Sequence, residues 1–182
     1  MSLLIIYMMT SWLPILIKDT GLQLSHAALI SAMFQVGGTV GAIVLGGAMD
    51  RCNPFWVLVC AYIAGAFCLM SIGLFHDQYS LLIFGVFGMG FCISGSQVGA
   101  NALAAGFYPT TMRATGVSWA HGVGRIGAVL GTLGGGWMLG MGMGFSGVFT
   151  LLMVPAVLAS AAIFLMGLRY SRSLQQTSIV VH

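Results

Sequence analysis

Six long apolar runs, separated only by short polar or charged turns, fill this chain almost from end to end. No other feature limits its fold as strongly. Inside hydrocarbon the backbone must satisfy its own hydrogen bonds, so a spanning segment is either a helix or part of a closed barrel. The runs cover residues 2–17, 27–48, 55–75, 80–106, 114–139 and 145–168. They are continuously apolar and lack the roughly ten-residue alternation of barrel strands, so an all-α membrane protein with six transmembrane helices is expected. Only 5% of the 182 residues are charged, against about a quarter in a soluble domain. A soluble enzyme is thereby excluded. Six Lys or Arg against three Asp are too few to follow nucleic-acid phosphates. The expected partner is the lipid bilayer, and no nucleic acid.

The turns carry their own signals. The first run ends at Lys18-Asp19-Thr20-Gly21 and the second at Asp50-Arg51; Pro54 stands where a helix tolerates proline, at its start. His76-Asp77-Gln78 and Tyr108-Pro109 mark two further turns, and residues 173–182 form a polar tail. An even number of spans puts both termini on one side. With the N-terminus cytoplasmic, Arg51, Arg113, Arg169 and Arg172 are cytoplasmic and only Lys18 is outside, the arrangement that the positive-inside rule selects. The first run begins at the initiator Met and is about 24 Å long, short of a hydrocarbon core of about 30 Å. No basic residue precedes it and no small-x-small cleavage site follows, so it reads as a span whose beginning is missing rather than as a signal peptide.

Polarity is distributed unevenly among the runs. The third and sixth carry no charge and suit the periphery of a bundle. The others present polar groups at helical spacing: Ser31, Gln35 and Thr39; Ser94, Gln97 and Asn101; Thr115, Ser118, His121 and Arg125. For the neutral residues, hydrogen bonding between helices and lining a site are both open. Arg125 lies about 18 Å beyond Arg113, near mid-bilayer. A central Arg costs at least about 2.5 kcal/mol unless it faces a partner or a wet cavity. The chain has no Glu, and Asp19, Asp50 and Asp77 all lie at span ends. Arg125 therefore awaits an anion: a ligand carboxylate, whose geometry a guanidinium matches, or a residue of protein outside this chain. His121, one turn away, is either a hydrogen-bonded packing residue or a proton-sensitive group biased toward neutrality by the nearby cation.

Glycines four apart (Gly37 and Gly41; Gly95 and Gly99; Gly127, Gly131 and Gly135) mark close helix contacts, either static or able to rock. Pro14 and Pro155 lie inside spans and are expected to loosen them. Cys52, Cys60, Cys68 and Cys92 have no C-x-x-C spacing, so buried thiols are expected rather than disulfides or zinc ligands. No metal site or cofactor is expected. His121 has no carboxylate or Cys at helical spacing to build a catalytic pair, so an enzyme is not expected.

The stretch from Gly95 to Pro109 (GSQVGANALAAGFYP), followed by Arg113-Ala-Thr-Gly-Val-Ser-Trp119 and Gly122-Val-Gly-Arg125-x-Gly127, resembles the aromatic acid:H+ symporters of the major facilitator superfamily. Ser11-Trp12-Leu13-Pro14, Phe34-Gln35-x-Gly37-Gly38 and Gly46-Gly47-Ala48-Met49-Asp50-Arg51 resemble it too; the last is common to the whole superfamily. The resemblance covers most of the chain up to about Arg172. It implies that residues 1–172 are one six-helix half of a twelve-span fold, the C-terminal one, with substrate bound between halves near mid-membrane. It also implies a bacterial inner-membrane transporter of small aromatic carboxylates such as benzoate or hydroxybenzoate, with protons as the coupling ion. In that reading Arg125 and His121 belong to the substrate site, with Gln97, Asn101, Gln35 and Ser118 bonding polar groups and Trp12 or Trp119 stacking on the ring. Asp50, Arg51 and Arg113 would form a gate, the two arginines being equally explained by topology. The family's acidic intramembrane residues lie mainly in the other half, and no Asp or Glu here matches them. A complementary N-terminal half is therefore the implied protein partner. The alternative is a non-transporting fragment or scaffold subunit.

Overall fold

The runs are mostly apolar, glycine being the commonest residue of the fifth, and with no water to compete for the backbone such runs satisfy their hydrogen bonds as helices. The computed structural model describes residues 1–19, 24–74, 78–107 and 111–180. Among these the helices are α1 (Ser2–Asp19), α2 (Leu24–Arg51), α3 (Pro54–Leu74), α4 (Tyr79–Met89), α5 (Gly95–Phe107), α6 (Arg113–Gly140) and α7 (Phe145–Val180). The expected turns at Thr20-Gly21, His76-Asp77 and Tyr108-Pro109 lie outside the described residues, as do the side chains of Asp19 and Arg172.

Among the described residues, four segments are long and apolar enough to cross a membrane: residues 25–51, 54–74, 79–106 and 145–169. The protein is a multi-pass membrane protein. Length and apolarity thus support four of the six expected spans directly. Of the other two, the apolar stretch of α1 is shorter, at residues 2–18. Helix α6 is long enough, but nine glycines together with His121 and Arg125 dilute its apolarity.

Three local features refine the sequence expectation. Pro54 is the first residue of α3, and the Asn53 side-chain oxygen accepts the Phe55 N–H at 3.1 Å, capping that helix. The fourth run is interrupted by a π-turn at Gly90–Ser94, which joins α4 to α5 without breaking the rod. Its position is set by α2: a Cβ at Gly90 would meet the Phe34 carbonyl, and one at Gly95 would lie 2.7 Å from the Gly41 carbonyl carbon. Helix α7 continues to Val180, beyond the apolar run that ends at Leu168, and so includes most of the expected tail. Nothing between Arg169 and Val180 is Gly or Pro, so no residue there stops a helix. Pro14 and Pro155 lie within α1 and α7, and neither ends its helix.

The helices associate mainly in three seams: α3 on α7, α1 on α6, and α2 along α4, the π-turn and α5. Helix α1 is the central element. Its Ile5, Met9, Leu13 and Ile17 are fully enclosed, and they join Phe34, Tyr62, Leu69 and Phe149 in one apolar core. The Tyr62 hydroxyl donates to Ser2 Oγ at 2.9 Å, tying the start of α1 to mid-α3. Helices α3 and α7 bury one face and keep another exposed, through Trp56 and Phe67 and through Val154 and Leu165, as expected for peripheral helices.

The register of the seams places the charges. Gly99 of α5 meets Met49 of α2, and Gly167 of α7 meets Phe55 of α3. Arg51, Arg113 and Arg169 consequently share one end of the bundle. Helix α1 runs parallel to α6, with Leu3 beside Gly124 and Trp12 beside Gly135, which carries Lys18 to the opposite end. Of the four cysteines, all free, only Cys92 is buried; Cys68 is half-buried and Cys52 and Cys60 are exposed. The expectation of buried thiols therefore fails for two of the four, which lie on outward faces of a bundle where exposed apolar groups are the rule.

Candidate functional site

Polar side chains converge where α5 and α6 pass the beginning of α1. Gln97 and Asn101 stand one turn apart on α5, and Gln97 Nε2 donates to Asn101 Oδ1 at 3.2 Å. His121 of α6 faces the same space at a similar depth, about 12 Å from the start of its helix. Together with Met1–Leu4 and with Val123, Gly124, Ile126 and Gly127 of α6, they line a cavity of about 450 Å³. The cavity suits a small molecule. After the bond between them, Gln97 retains an acceptor and one N–H, and Asn101 retains both N–H groups. Such donors suit a carboxylate or a phenolic hydroxyl.

The fold of α6 makes this space possible. A Cβ at Gly131 would overlap the Leu4 carbonyl, and one at Gly135 would overlap the Trp12 ring. Glycine at these positions lets α1 seat directly on the α6 backbone. Trp12 then donates its indole N–H to the Thr132 carbonyl at 2.8 Å. The ring is committed to this seam and lies away from the cavity.

Three of the eight expected substrate residues, Gln97, Asn101 and His121, are thus brought together. Arg125 is exposed one turn beyond His121 and is not in the cavity wall. Among the described residues it makes no hydrogen bond or ion pair. Ser118 and Trp119 are exposed nearer the start of α6. Gln35 is exposed on α2, which packs on α4 and α5 rather than on α6. Its backbone carbonyl accepts the Thr39 hydroxyl at 3.1 Å, a local helix bond. The expected gate residues Asp50, Arg51 and Arg113 are all exposed at one end of the bundle, with no ion pair among the described residues. Sequence reasoning missed the contribution of Ser2, Leu3 and Leu4 to the cavity, and no local signal marks them. It also missed Ser96, one residue before Gln97, whose buried hydroxyl has no hydrogen-bond partner among the described residues.

The model of the Major Facilitator Superfamily matches residues 1–179. A gallate transporter of Pseudomonas putida is 50% identical over 167 residues, covering 92% of this chain and 37% of that protein. The 4-hydroxybenzoate transporter PcaK of Pseudomonas aeruginosa is 47% identical, over 92% of this chain and 38% of its own length. A benzoate transport protein of Acinetobacter baylyi is 33% identical, over 92% of this chain and 36% of its own. The chain therefore spans a little over a third of the length of these curated relatives. No solved structure matches it. All three relatives are named for transport and none for catalysis. With the family model matching nearly its whole length, the chain belongs to the Major Facilitator Superfamily.

Proposed function

We propose that residues 1–172 are the C-terminal six-helix half of a proton-coupled symporter for small aromatic carboxylates such as benzoate or hydroxybenzoate. The membrane is the bacterial inner membrane, with both termini cytoplasmic, so that Arg51, Arg113 and Arg169 stand on the positive side. The observation that carries this reading is Arg125, a cation about 18 Å along α6 with no anionic partner among the described residues. A guanidinium at that depth is costly against lipid, and its fork fits a carboxylate. The names of the relatives supply the aromatic part of the substrate.

In this mechanism Arg125 draws the carboxylate toward the α5–α6 cavity. Gln97 and Asn101 bond the ring substituents, and Ser118 and Gln35 serve polar groups or water. His121 accepts or donates a hydrogen bond. Trp119 is the exposed ring available for stacking, whereas Trp12 positions α6 through Thr132. Asp50, Arg51 and Arg113 gate the cytoplasmic end. A complementary six-helix half closes the other wall and contributes the acidic residues of proton coupling. It also covers the exposed Val123, Ile126 and Leu130 of α6.

The test is uptake of radiolabelled 4-hydroxybenzoate by cells making the chain together with a complementary N-terminal half. Uptake should require both pieces and should collapse with a protonophore. Arg125→Lys should lower it at least about tenfold, since the bidentate bond is lost. Uptake within twofold of the unsubstituted protein would overturn the assignment. Equal uptake with and without the second half would refute the half-transporter reading.

A further inference from the structure

A cleft runs along the outside of the bundle between α3 and α7 and shares no lining residue with the α5–α6 cavity. Its wider part, about 460 Å³, has a floor of Val59, Ala66 and Ser160 and a rim that includes Trp56, Phe67 and Val157. A second hollow of about 160 Å³ continues it past Trp56 and Phe164, whose rings meet edge to face at 5.7 Å, to Asn53 and Gly167. The two hollows share Trp56, Val59 and Phe164, so they form one continuous slot. From Asn53 to Phe67 the slot follows about 21 Å of helix, enough to cross one leaflet of a hydrocarbon core about 30 Å thick.

The chemistry changes along the slot. Its inner length is apolar apart from Ser160. Its outer end is polar at Asn53 and is flanked by Arg51, two residues earlier, and Arg169, directly after Leu168. Both arginines are exposed and make no ion pair among the described residues; the one carboxylate on that turn is Asp50. Trp56 lies near this end, where amphipathic rings favour the headgroup level. An apolar slot of leaflet depth under a cationic mouth matches an acyl chain below a phosphate.

We infer that the α3–α7 cleft is a binding site for an anionic phospholipid, with one acyl chain along Val59, Ala66 and Ser160 and the phosphate held near Asn53 by Arg51 and Arg169. The lipid fills the space that two peripheral helices leave between them and fixes the end of α7 against α3. This inference rests on the protein's placement in a membrane and is independent of the transport reading.

Native mass spectrometry of the purified chain, released from detergent with equal phosphatidylglycerol and phosphatidylcholine, tests it. Phosphatidylglycerol adducts should exceed phosphatidylcholine adducts by about fivefold or more, and Arg169→Gln should bring that ratio toward one. Ala161→Phe, which fills the slot, should reduce adducts of both lipids while helicity by circular dichroism is unchanged. Equal retention of the two lipids by the unsubstituted chain would overturn the proposal. So would undiminished phosphatidylglycerol adducts in Ala161→Phe, or chain dimers that replace lipid and vanish in that variant, since a second copy would then be the occupant. If Ala161→Phe loses helicity, the ratio in Arg169→Gln, at an exposed position, decides alone.

Discussion

The α3–α7 seam and the α1–α6 seam are two of the three main helix pairings among the described residues, and they are built in opposite ways. Between α3 and α7, large side chains fill most of the seam, with Gly73 and Gly167 the exceptions. Phe149 is fully enclosed and stacks on Phe145 at 4.6 Å, beside the buried Leu69 and Ile72 of α3. Between α1 and α6, side chains of one helix meet the bare backbone of the other: Leu3 at Gly124, Leu4 at Gly131 and Trp12 at Gly135. Lipid tails are as apolar as leucine, so neither seam is driven by removal from water; packing and hydrogen bonds must hold both. The first seam depends on volume, whereas the second depends on its absence. The difference also separates scaffold from site. Residues 55–74 of α3 and 145–168 of α7 carry no charge, while α6 brings His121 and Arg125 to one side of the molecule and remains the more exposed helix.

If that contrast holds, each seam should be broken by the substitution that the other tolerates. Phe149→Ala should have the largest effect on stability, about 3 kcal/mol, the low end of the range for emptying a core aromatic because lipid supplies little transfer energy. The SDS concentration at half-unfolding, followed by circular dichroism, measures it. Gly131→Ala should follow at about 1–3 kcal/mol, because its Cβ would overlap the Leu4 carbonyl and force α1 away from α6. It should also lower uptake in the two-half assay beyond its effect on stability, since Leu4 and Gly127 line the cavity. A Gly131→Ala protein with full stability and full uptake would show that the α1–α6 seam is not close-packed.

Helical periodicity explains how much of this was legible in the chain. Gln97 and Asn101 share a face because four residues make about one turn, and His121 joins them because α5 and α6 are consecutive antiparallel neighbours. The same spacing put Arg125 on the face of His121, yet it stays out of the cavity wall, because four residues overshoot one turn and α1 covers only part of α6. Gln35 could not be placed by spacing, since its helix packs on α4 and α5 in a register that sets it beside the π-turn rather than beside Gln97. Trp12 was read as a candidate ring for stacking; its actual acceptor, the Thr132 carbonyl, is 120 residues away and invisible to any local pattern. The π-turn was likewise hidden: Gly90 and Gly95 flag close contact, but the extra residue in the turn depends on Phe34 and Gly41 of another helix.

Trp12→Phe sharpens the comparison at smaller scale. The ring stays against Gly135 and Gly136 while the N–H to Thr132 is lost, so the expected cost is about 0.5–1.5 kcal/mol in the same SDS titration. Trp12→Ala should cost clearly more, because the glycine groove would then be empty. Equal losses would mean that the hydrogen bond alone holds the ring.

The smallest expected effect has the opposite sign. Gly73 lies on α3 against α7, as Gly131 lies on α6 against α1. A Cβ at Gly73, however, would meet the Ser146 carbonyl oxygen at 3.5 Å and the Phe149 Cβ at 3.6 Å, ordinary contact distances. The added methyl would fit, and alanine restricts the unfolded chain more than glycine does. Gly73→Ala should therefore be neutral or stabilising by up to about 1 kcal/mol. Two glycines at helix contacts, given the same substitution, should thus move stability in different directions, because one Cβ would overlap a backbone carbonyl and the other would sit at ordinary contact distance from its neighbours. A loss at Gly73 equal to that at Gly131 would mean that both seams rest on backbone approach, and the distinction between scaffold and site would have to be drawn from charge alone.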